Sequence, residues 1–465
     1  MRGNIDRIHF VGIGGIGMSG IAEVLLNLGY SITGSDLENS PIVERLRSLG
    51  ATVAIGHDGA NVEDAQVLVY SSAVTVDNPE VVAARNRKIP VIPRAEMLAE
   101  LMRMKYSVAV SGSHGKTTTT SMAAALLTDA GLDPTIVIGG RLDSIDSNAK
   151  LGQGEYLVAE ADESDRSFLK LLPTLAVVTN IDAEHLDTYE NLADIQDAFI
   201  RFVNKVPFYG VGILCCDDPA VQAILPRLER RFTTYGFSAQ ANLQARSPAI
   251  KGFHSAFDVY WKEDKLGRAE LRTPGRHHIL NALATIAVGL ELQIPVSKML
   301  ESLARFENAD RRLQLIGEAG GVMVLDDYGH HPTEIIATLG TIKEAWNRRI
   351  VCVFQPHRYT RVEALMKEFW TSFNESDVLV VTDIYAAGEQ PIEGVDAEQM
   401  AEGIKGYGHG DVLFIDNLAD VPAYLMERLQ PGDILVTLGA GDVWKIARKT
   451  LAMLEEEATG GSKTV

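Results

Sequence analysis

Short apolar runs recur along this chain, each closed by glycine, serine or aspartate, and many are followed by a stretch with helical spacing of apolar positions. IHFVG (8–12) reads as a buried strand and Ile16 to Leu28 as a helix stopped by Gly29. SITGSD (31–36) and VLVYSSA (67–73) read as further strands. This alternation predicts parallel sheets covered by helices. It breaks at 89–105, where two prolines precede a short helix, and restarts with a strand from Tyr106 to Val110 and a helix running to Leu127. Strands follow at 156–160 and 175–179, and 250–273 looks more antiparallel. A second break falls near 310–320; beyond it MVLDDY, a helix, RIVCVFQ (349–355), VLVVTD (378–383), DVLFID (411–416) and DILVTLG (433–439) repeat the alternation. The expected fold is α/β in three domains. A Rossmann-like domain spans 1–105, a central P-loop ATPase-type α/β domain 106–310, and a second Rossmann-like domain 311–455. The polar residues 456–465 are expected to be a disordered tail.

Composition narrows the class. With 465 residues, 46% hydrophobic and 23% charged, the chain matches a soluble globular protein. No apolar run reaches the roughly 18 residues of a membrane span. The glycine-broken start, with no cleavage-type site, argues against a signal peptide. Three scattered cysteines suit neither a disulfide framework nor a zinc site, so a reduced, cytoplasmic protein is expected. A net charge of −19 argues against nucleic acid as a partner while leaving room for small anions at a local positive site. Monomer and homodimer both remain open.

The chemistry concentrates at strand ends. After the strand at 106–110 comes Gly112-Ser113-His114-Gly115-Lys116-Thr117-Thr118, opening a helix. Such a strand–loop–helix presents backbone N–H groups and the positive helix end to a polyphosphate. Lys116 would face the outer phosphates and Thr117 would hold Mg2+. The loop is shorter than the usual phosphate-binding pattern, with Val110 where a glycine is customary. A second glycine loop, GIGGIGMSG (12–20), fits G-x-G-x-x-G at Gly12, Gly14 and Gly17, with Asp36 following 19 residues after Gly17. It suits a dinucleotide or a nucleotide sugar equally. Glu160, Asp162, Glu163 and Asp165 follow another strand, and Glu160 is the first metal candidate; Asn180, Asp182 and His185 end the next strand. His277, His278 and Asn281 start a helix, and Asn281 can both donate and accept, as base recognition requires. Arg312, Asp327, Tyr328, His330, His357, Arg358 and Arg361 gather near strand ends in the last third, where open α/β sheets bind ligands and arginine forks suit carboxylates and phosphates.

Taken in order, GIGGIGMSGIA, SGSHGKTTT, EADESD, TNIDAEHLD, HHILNALA, DDYGHHP and PHRYTR resemble the Mur ligases over essentially the whole chain except its tail. These are cytoplasmic enzymes that build the peptide of the bacterial cell-wall precursor. The resemblance is nearest to the branch that joins L-alanine to UDP-N-acetylmuramate. It implies that Gly14, Gly15, Ile16, Gly17, Asp36, Ser71, Ser72 and His185 bind the UDP-sugar. It implies ATP on Gly112, Ser113, His114, Gly115, Lys116, Thr117, Thr118, Asn281, Arg312 and Asp327, the last two across domains. The amino acid falls to Tyr328, His330, Arg358 and Arg361, with Lys116, His330 and Arg358 catalytic. Mg2+, with Mn2+ as the alternative, falls to Thr117, Glu160 and His185. Several relatives carry a carbamylated lysine 14–15 residues past the equivalent histidine; here 199 and 200 are Phe and Ile, so none is expected. The implied reaction makes an acyl phosphate from ATP and the lactyl carboxylate, then an amide from the alanine amine. The three domains are expected to close around it and exclude water. A recycling ligase adding a preformed tripeptide to the same sugar is the alternative within the family. An NAD-dependent dehydrogenase, from GIGGIG and Asp36, and a nucleotide-dependent switch are the alternatives outside it.

Overall fold

The computed structural model describes residues 5–71, 73–142, 147–185, 188–307 and 311–460. Three sheets organise the chain. The first has five parallel strands in the order Thr52–Ile55, Ser31–Asp36, Arg7–Val11, Val67–Tyr70, Val91–Pro93. The chain reverses direction across the sheet beside Arg7–Val11, the position where doubly wound sheets open a crevice for ligands. The glycine loop follows that strand. The second sheet has ten strands, with Tyr106–Ser111 between Leu175–Val178 and Tyr156–Glu160 and parallel to both. The stretch 250–273 falls within Leu243–Lys251, His254–Trp261 and Asp264–Leu271, which lie side by side at one edge of this sheet.

By internal contacts, Met1–Pro248, Ala256–Arg272 and His278–Ala309 form one compact unit, and Ala249–Ser255, Thr273–His277 and Asp310–Val465 another. The first unit contains the first sheet and most of the second. One apolar cluster runs through it, from Ile8 and Phe10 through Leu98 and Met102 to Phe168 and Phe199. Phe199 is fully buried edge-to-face on Phe168. The second unit holds a six-stranded sheet in the order Gln314–Ala319, Val322–Asp327, Ile434–Leu438, Ile350–Phe354, Val378–Thr382, Val412–Ile415. Its first pair is antiparallel and the rest are parallel. The central strands read as unbroken apolar runs because both faces are buried.

Helix starts follow local chemistry: Ser40, Asn78, Asn191 and Asp218 each accept a first-turn N–H, three of them just before proline. The final helix, Trp444–Gly460, is a correction to the sequence reading. It carries residues 456–460 in helical form, because LEEEAT has good helix formers and no glycine or proline before Gly460. Residues 461–465 lie outside the described residues. Among the described residues, no helix is long and apolar enough to cross a membrane. The three cysteines are free and buried.

A buried polar knot supports the glycine loop. Glu80 is fully buried and accepts from Ser35 Oγ at 2.5 Å and Asn61 Nδ2 at 2.5 Å, with His9 Nε2 at 3.5 Å. The Ser35 carbonyl in turn accepts from the N–H groups of Gly12 and Ile13. Burial pushes the Glu80 carboxyl up, but His9, Ser35 and Asn61 outweigh it and hold it below its ordinary range. A carboxylate depressed on folding stabilises at neutral pH, and that stabilisation is lost as pH falls through its folded value. Glu80→Ala is therefore expected to cost about 3 kcal/mol. Urea unfolding should show the cost at pH 7 and a shrinking difference from wild type in acid. A cost under about 1 kcal/mol at pH 7, within the range of an ordinary surface substitution, would contradict this role.

Candidate active site

The loop after Tyr106–Ser111 is held from beneath by the end of the neighbouring strand. Thr179 Oγ1 donates to the His114 carbonyl at 2.6 Å. Asn180 accepts from His114 N–H at 2.8 Å through Oδ1 and donates to the His114 carbonyl at 3.0 Å. Asp182 N–H donates to Ser113 Oγ at 2.8 Å, and Asp182 Oδ2 lies 3.1 Å from His114 Nε2. Asn180 and Asp182 thus shape the phosphate loop. Gly112 and Gly115 both have positive φ, at 136° and 78°. A Cβ on Gly112 would meet Thr179 Oγ1, and one on Gly115 would lie 2.9 Å from Asn281 Oδ1. Asn281 is therefore brought directly against the loop. The helix Lys116–Asp129 starts there, with Thr118 buried in its first turn.

Lys116 folds onto its own loop. Its Nζ donates to the carbonyls of Gly112 and Ser113 at 2.7 and 3.0 Å and to Glu163 Oε1 at 2.8 Å. Burial opposes its charge, but Glu163, Glu160 and Asp162 outweigh it and hold the ammonium well above its ordinary range. Glu163 is pushed up to about 7, because burial outweighs the nearby lysine. Thr117 Oγ1 donates to Glu160 Oε2 at 3.0 Å, so hydroxyl and carboxylate already share one locus. A second set of cation-type ligands stands beside it. His185 Nε2 lies 3.7 Å from Glu163 Oε1 and 3.8 Å from Glu184 Oε2, and ligand atoms of all three residues fall within 4.8 Å of one another. Glu163 Oε2 is buried with no hydrogen-bond partner. An orphaned carboxylate oxygen beside a carboxylate and an imidazole fits a divalent cation.

In the first sheet, Gly12 and Ile13 N–H bind the Ser35 carbonyl and Gly14 N–H donates to Asp36 Oδ2 at 2.7 Å. Asp36 thus orders the loop, and Gly15 caps the helix Ile16–Asn27. Ser71 lies against Gly12. Ser72 lies outside the described residues.

In the second unit, Asp327 accepts from Leu313 N–H at 2.7 Å and Gly329 N–H at 2.8 Å. Burial raises its carboxyl to about 6 against the pull of Arg312. Arg312 lies over the Tyr328 ring, 5.4 Å from its centroid. His330 stands edge-on to Tyr328, and its Nδ1 lies 3.1 Å from the Tyr328 carbonyl. The His357 ring is 5.7 Å from that of His330 and stacks on Tyr385. Arg361 Nη1 lies 3.2 Å from His357 Nδ1, which must accept. Burial, then His330, Arg361 and Arg358, push His357 down to about 4, so it is neutral at pH 7. Arg358 caps the helix Tyr359–Phe369 at φ 70°. The structure thus brings Tyr328, His330, His357 and Arg361 together, with Arg358 close enough for its charge to act on His357.

Glu184 and Tyr385 were absent from the sequence reading. Glu184 adjoins His185 and is the second acid of TNIDAEHLD, a position from which it could have been found. Tyr385 follows an ordinary strand and carried no signal.

Gly115→Ala is expected to weaken ATP binding at least tenfold, because it combines left-handed strain with a clash on Asn281. Gly131→Ala is the control: φ is similar at 79°, but nothing lies within 4 Å of the added carbon, so only stability should fall. Titration calorimetry reads both. Equal ATP affinity for Gly115→Ala and wild type would contradict the loop's assignment.

Three family profiles match the chain in order: the Mur ligase family catalytic domain over 7–106, the Mur ligase middle domain over 110–289, and the Mur ligase glutamate ligase domain over 311–441. The UDP-N-acetylmuramate–L-alanine ligase of Syntrophotalea carbinolica is 57% identical over 98% of this chain and 100% of its own. That of Myxococcus xanthus is 57% identical over 96% and 95% respectively. Among solved structures, the UDP-N-acetylmuramate–alanine ligase of Thermotoga maritima superposes with a TM-score of 0.78 at 28% identity, covering 97% of this chain and 99% of the other. A murein peptide ligase from Psychrobacter arcticus shares the fold at a TM-score of 0.65 and 24% identity, over 97% and 98%. With the loops, acids and arginines in their order and places, the chain belongs to the Mur ligase family.

Proposed function

We propose that this chain is an ATP-dependent ligase that joins L-alanine to the lactyl carboxylate of UDP-N-acetylmuramate, in the cytoplasm, for peptidoglycan precursor synthesis. The observation that carries the reading is Lys116, a partly buried ammonium on a phosphate-type loop with a Thr117–Glu160 pair beside it. The likeness to the alanine-adding ligases selects the acceptor and the amino acid. Residues 1–105 take the UDP-sugar, 106–310 the ATP and 311–455 the amino acid.

The chemical difficulty is that a carboxylate is a poor electrophile. Its oxygen attacks the γ-phosphorus of ATP; the new O–P bond forms, the bond to ADP breaks, and an acyl phosphate results. Lys116 turns its ammonium from Glu163 to the phosphoryl oxygens, offsetting charge where it gathers. Loop N–H groups at the start of Lys116–Asp129 hold the remaining phosphates. Thr117 and Glu160 would hold one Mg2+, and His185, Glu163 and Glu184 a second. Bound there, the cations neutralise phosphate charge and orient the oxygens.

Amide formation follows. The alanine amine attacks the acyl carbon, the C–N bond forms and inorganic phosphate leaves. Arg361 and Arg358 pair with the alanine carboxylate and fix the amine's direction. With His330 Nδ1 donating to the Tyr328 carbonyl, Nε2 is the ring's acceptor and takes the amine proton.

The test is phosphate release from ATP. It should require both UDP-N-acetylmuramate and L-alanine and yield the alanine adduct by mass; murein tripeptide should not replace alanine. Turnover with tripeptide alone would move the chain to the recycling branch, and no release under any combination would overturn the reading. Lys116→Ala should lower kcat about a thousandfold with the circular dichroism unchanged. Arg361→Ala should raise the KM for alanine roughly tenfold to a hundredfold, with a smaller change in kcat.

A further inference from the structure

The glycine loop has a cation above it that no motif revealed. Gly17 sits in the first turn of Ile16–Asn27, and a Cβ there would lie 2.6 Å from Arg94 Nη1 and 3.2 Å from Arg94 Cδ and Cζ. The guanidinium thus lies close against the backbone of that turn, and the missing side chain at 17 makes the room. Arg94 is held in place from behind. It follows the edge strand Val91–Pro93 and starts the helix Arg94–Met102, whose Met97, Leu98, Leu101 and Met102 are buried in the unit's main core. The arginine itself is half-buried, and among the described residues its guanidinium makes no hydrogen bond and no ion pair. A partly desolvated arginine without an acceptor is a binding group in waiting.

Its surroundings specify an anion. The helix Ile16–Asn27 has no acidic residue in its first turn, so its positive end is not already neutralised. The loop's acid, Asp36, is engaged with Gly14 N–H. Arg94 also acts on Asp162 of the acidic loop, whose carboxyl burial raises but Lys116, Ser164 and Arg94 together hold down. One guanidinium therefore stands within electrostatic reach of both the glycine loop and the acidic loop beside Lys116.

We propose that Arg94 is a binding and positioning residue for the diphosphate of the sugar nucleotide, clamping it against the first turn of Ile16–Asn27. This rests on the ligase reading for the identity of the ligand. The fork would accept two diphosphate oxygens while the helix N–H groups take others. Fixing the diphosphate at this point also sets the reach of the sugar's carboxylate toward the Lys116 loop.

The test is titration of UDP and UDP-N-acetylmuramate into wild type, Arg94→Gln and Arg94→Lys, with ATP as the control ligand. Arg94→Gln should weaken both uridine nucleotides roughly tenfold to a hundredfold and leave ATP unchanged. Its UDP affinity should also depend less on KCl than that of wild type, which a merely structural role would not produce. Arg94→Lys keeps the charge but not the fork and should fall between. Should the glutamine variant not fold, the lysine variant decides: UDP affinity equal to wild type overturns the clamp, and a loss confined to uridine nucleotides supports it. Equal UDP affinity in Arg94→Gln, or equal losses for UDP and ATP, would also overturn it. A wild type that binds no UDP-N-acetylmuramate would instead overturn the ligase reading and leave Arg94 to be judged on UDP.

Discussion

An ammonium partly withdrawn from water must be compensated, and the architecture around Lys116 is the means of doing so. Two loop carbonyls and the Glu163 carboxylate surround its Nζ, with Glu160 and Asp162 adding charge. This requires an acidic loop at the end of Tyr156–Glu160, a strand parallel to the one that delivers the phosphate loop. It also requires Thr179, Asn180 and Asp182 at the end of Leu175–Val178, which hold the loop through the His114 carbonyl and Ser113 Oγ. The order of strands in the central sheet is what puts these three ends side by side. A polyphosphate offers Lys116 stronger partners than carbonyls, and the carboxylates it leaves are the groups a divalent cation needs.

The same economy recurs elsewhere. In the first sheet, Ser35 and Asp36 turn the glycine loop's N–H groups inward on one side, leaving the helix start for a ligand. In the last sheet, Asp327 accepts from Leu313 and Gly329 N–H, and Arg312 lies over the ring of the adjoining Tyr328. In each case an acid at a strand's carboxyl end organises backbone, and a neighbouring cation is left to meet the substrate. That division explains why a strongly acidic chain serves anionic substrates: many of its site acids face protein groups.

Much of this was legible in the residues. Unbroken apolar runs marked the parallel strands, and the glycine–lysine–threonine loop between strand and helix marked the phosphate site. What escaped was set by partners distant in sequence. Asp36 looked like a ribose ligand, and only the fold shows it bonded to Gly14. Glu160 was the first metal candidate, yet Glu163, three residues on, touches Lys116 and carries the orphaned oxygen. Arg94 is an ordinary helix-starting arginine in the sequence, and its place against Gly17 depends on how Arg94–Met102 packs. The tail was read as disordered from its polarity, but the helix from Trp444 has no stop signal before Gly460.

The central claim is that the lactyl carboxylate attacks ATP at the Lys116 loop before any amide forms. Label transfer tests it most directly: UDP-N-acetylmuramate carrying oxygen-18 in its carboxylate is turned over with ATP and L-alanine, and the released phosphate is analysed by mass. An acyl phosphate requires one labelled oxygen to pass from carboxylate to phosphate in each turnover. Phosphate released without label, alongside normal amide formation, would contradict the account.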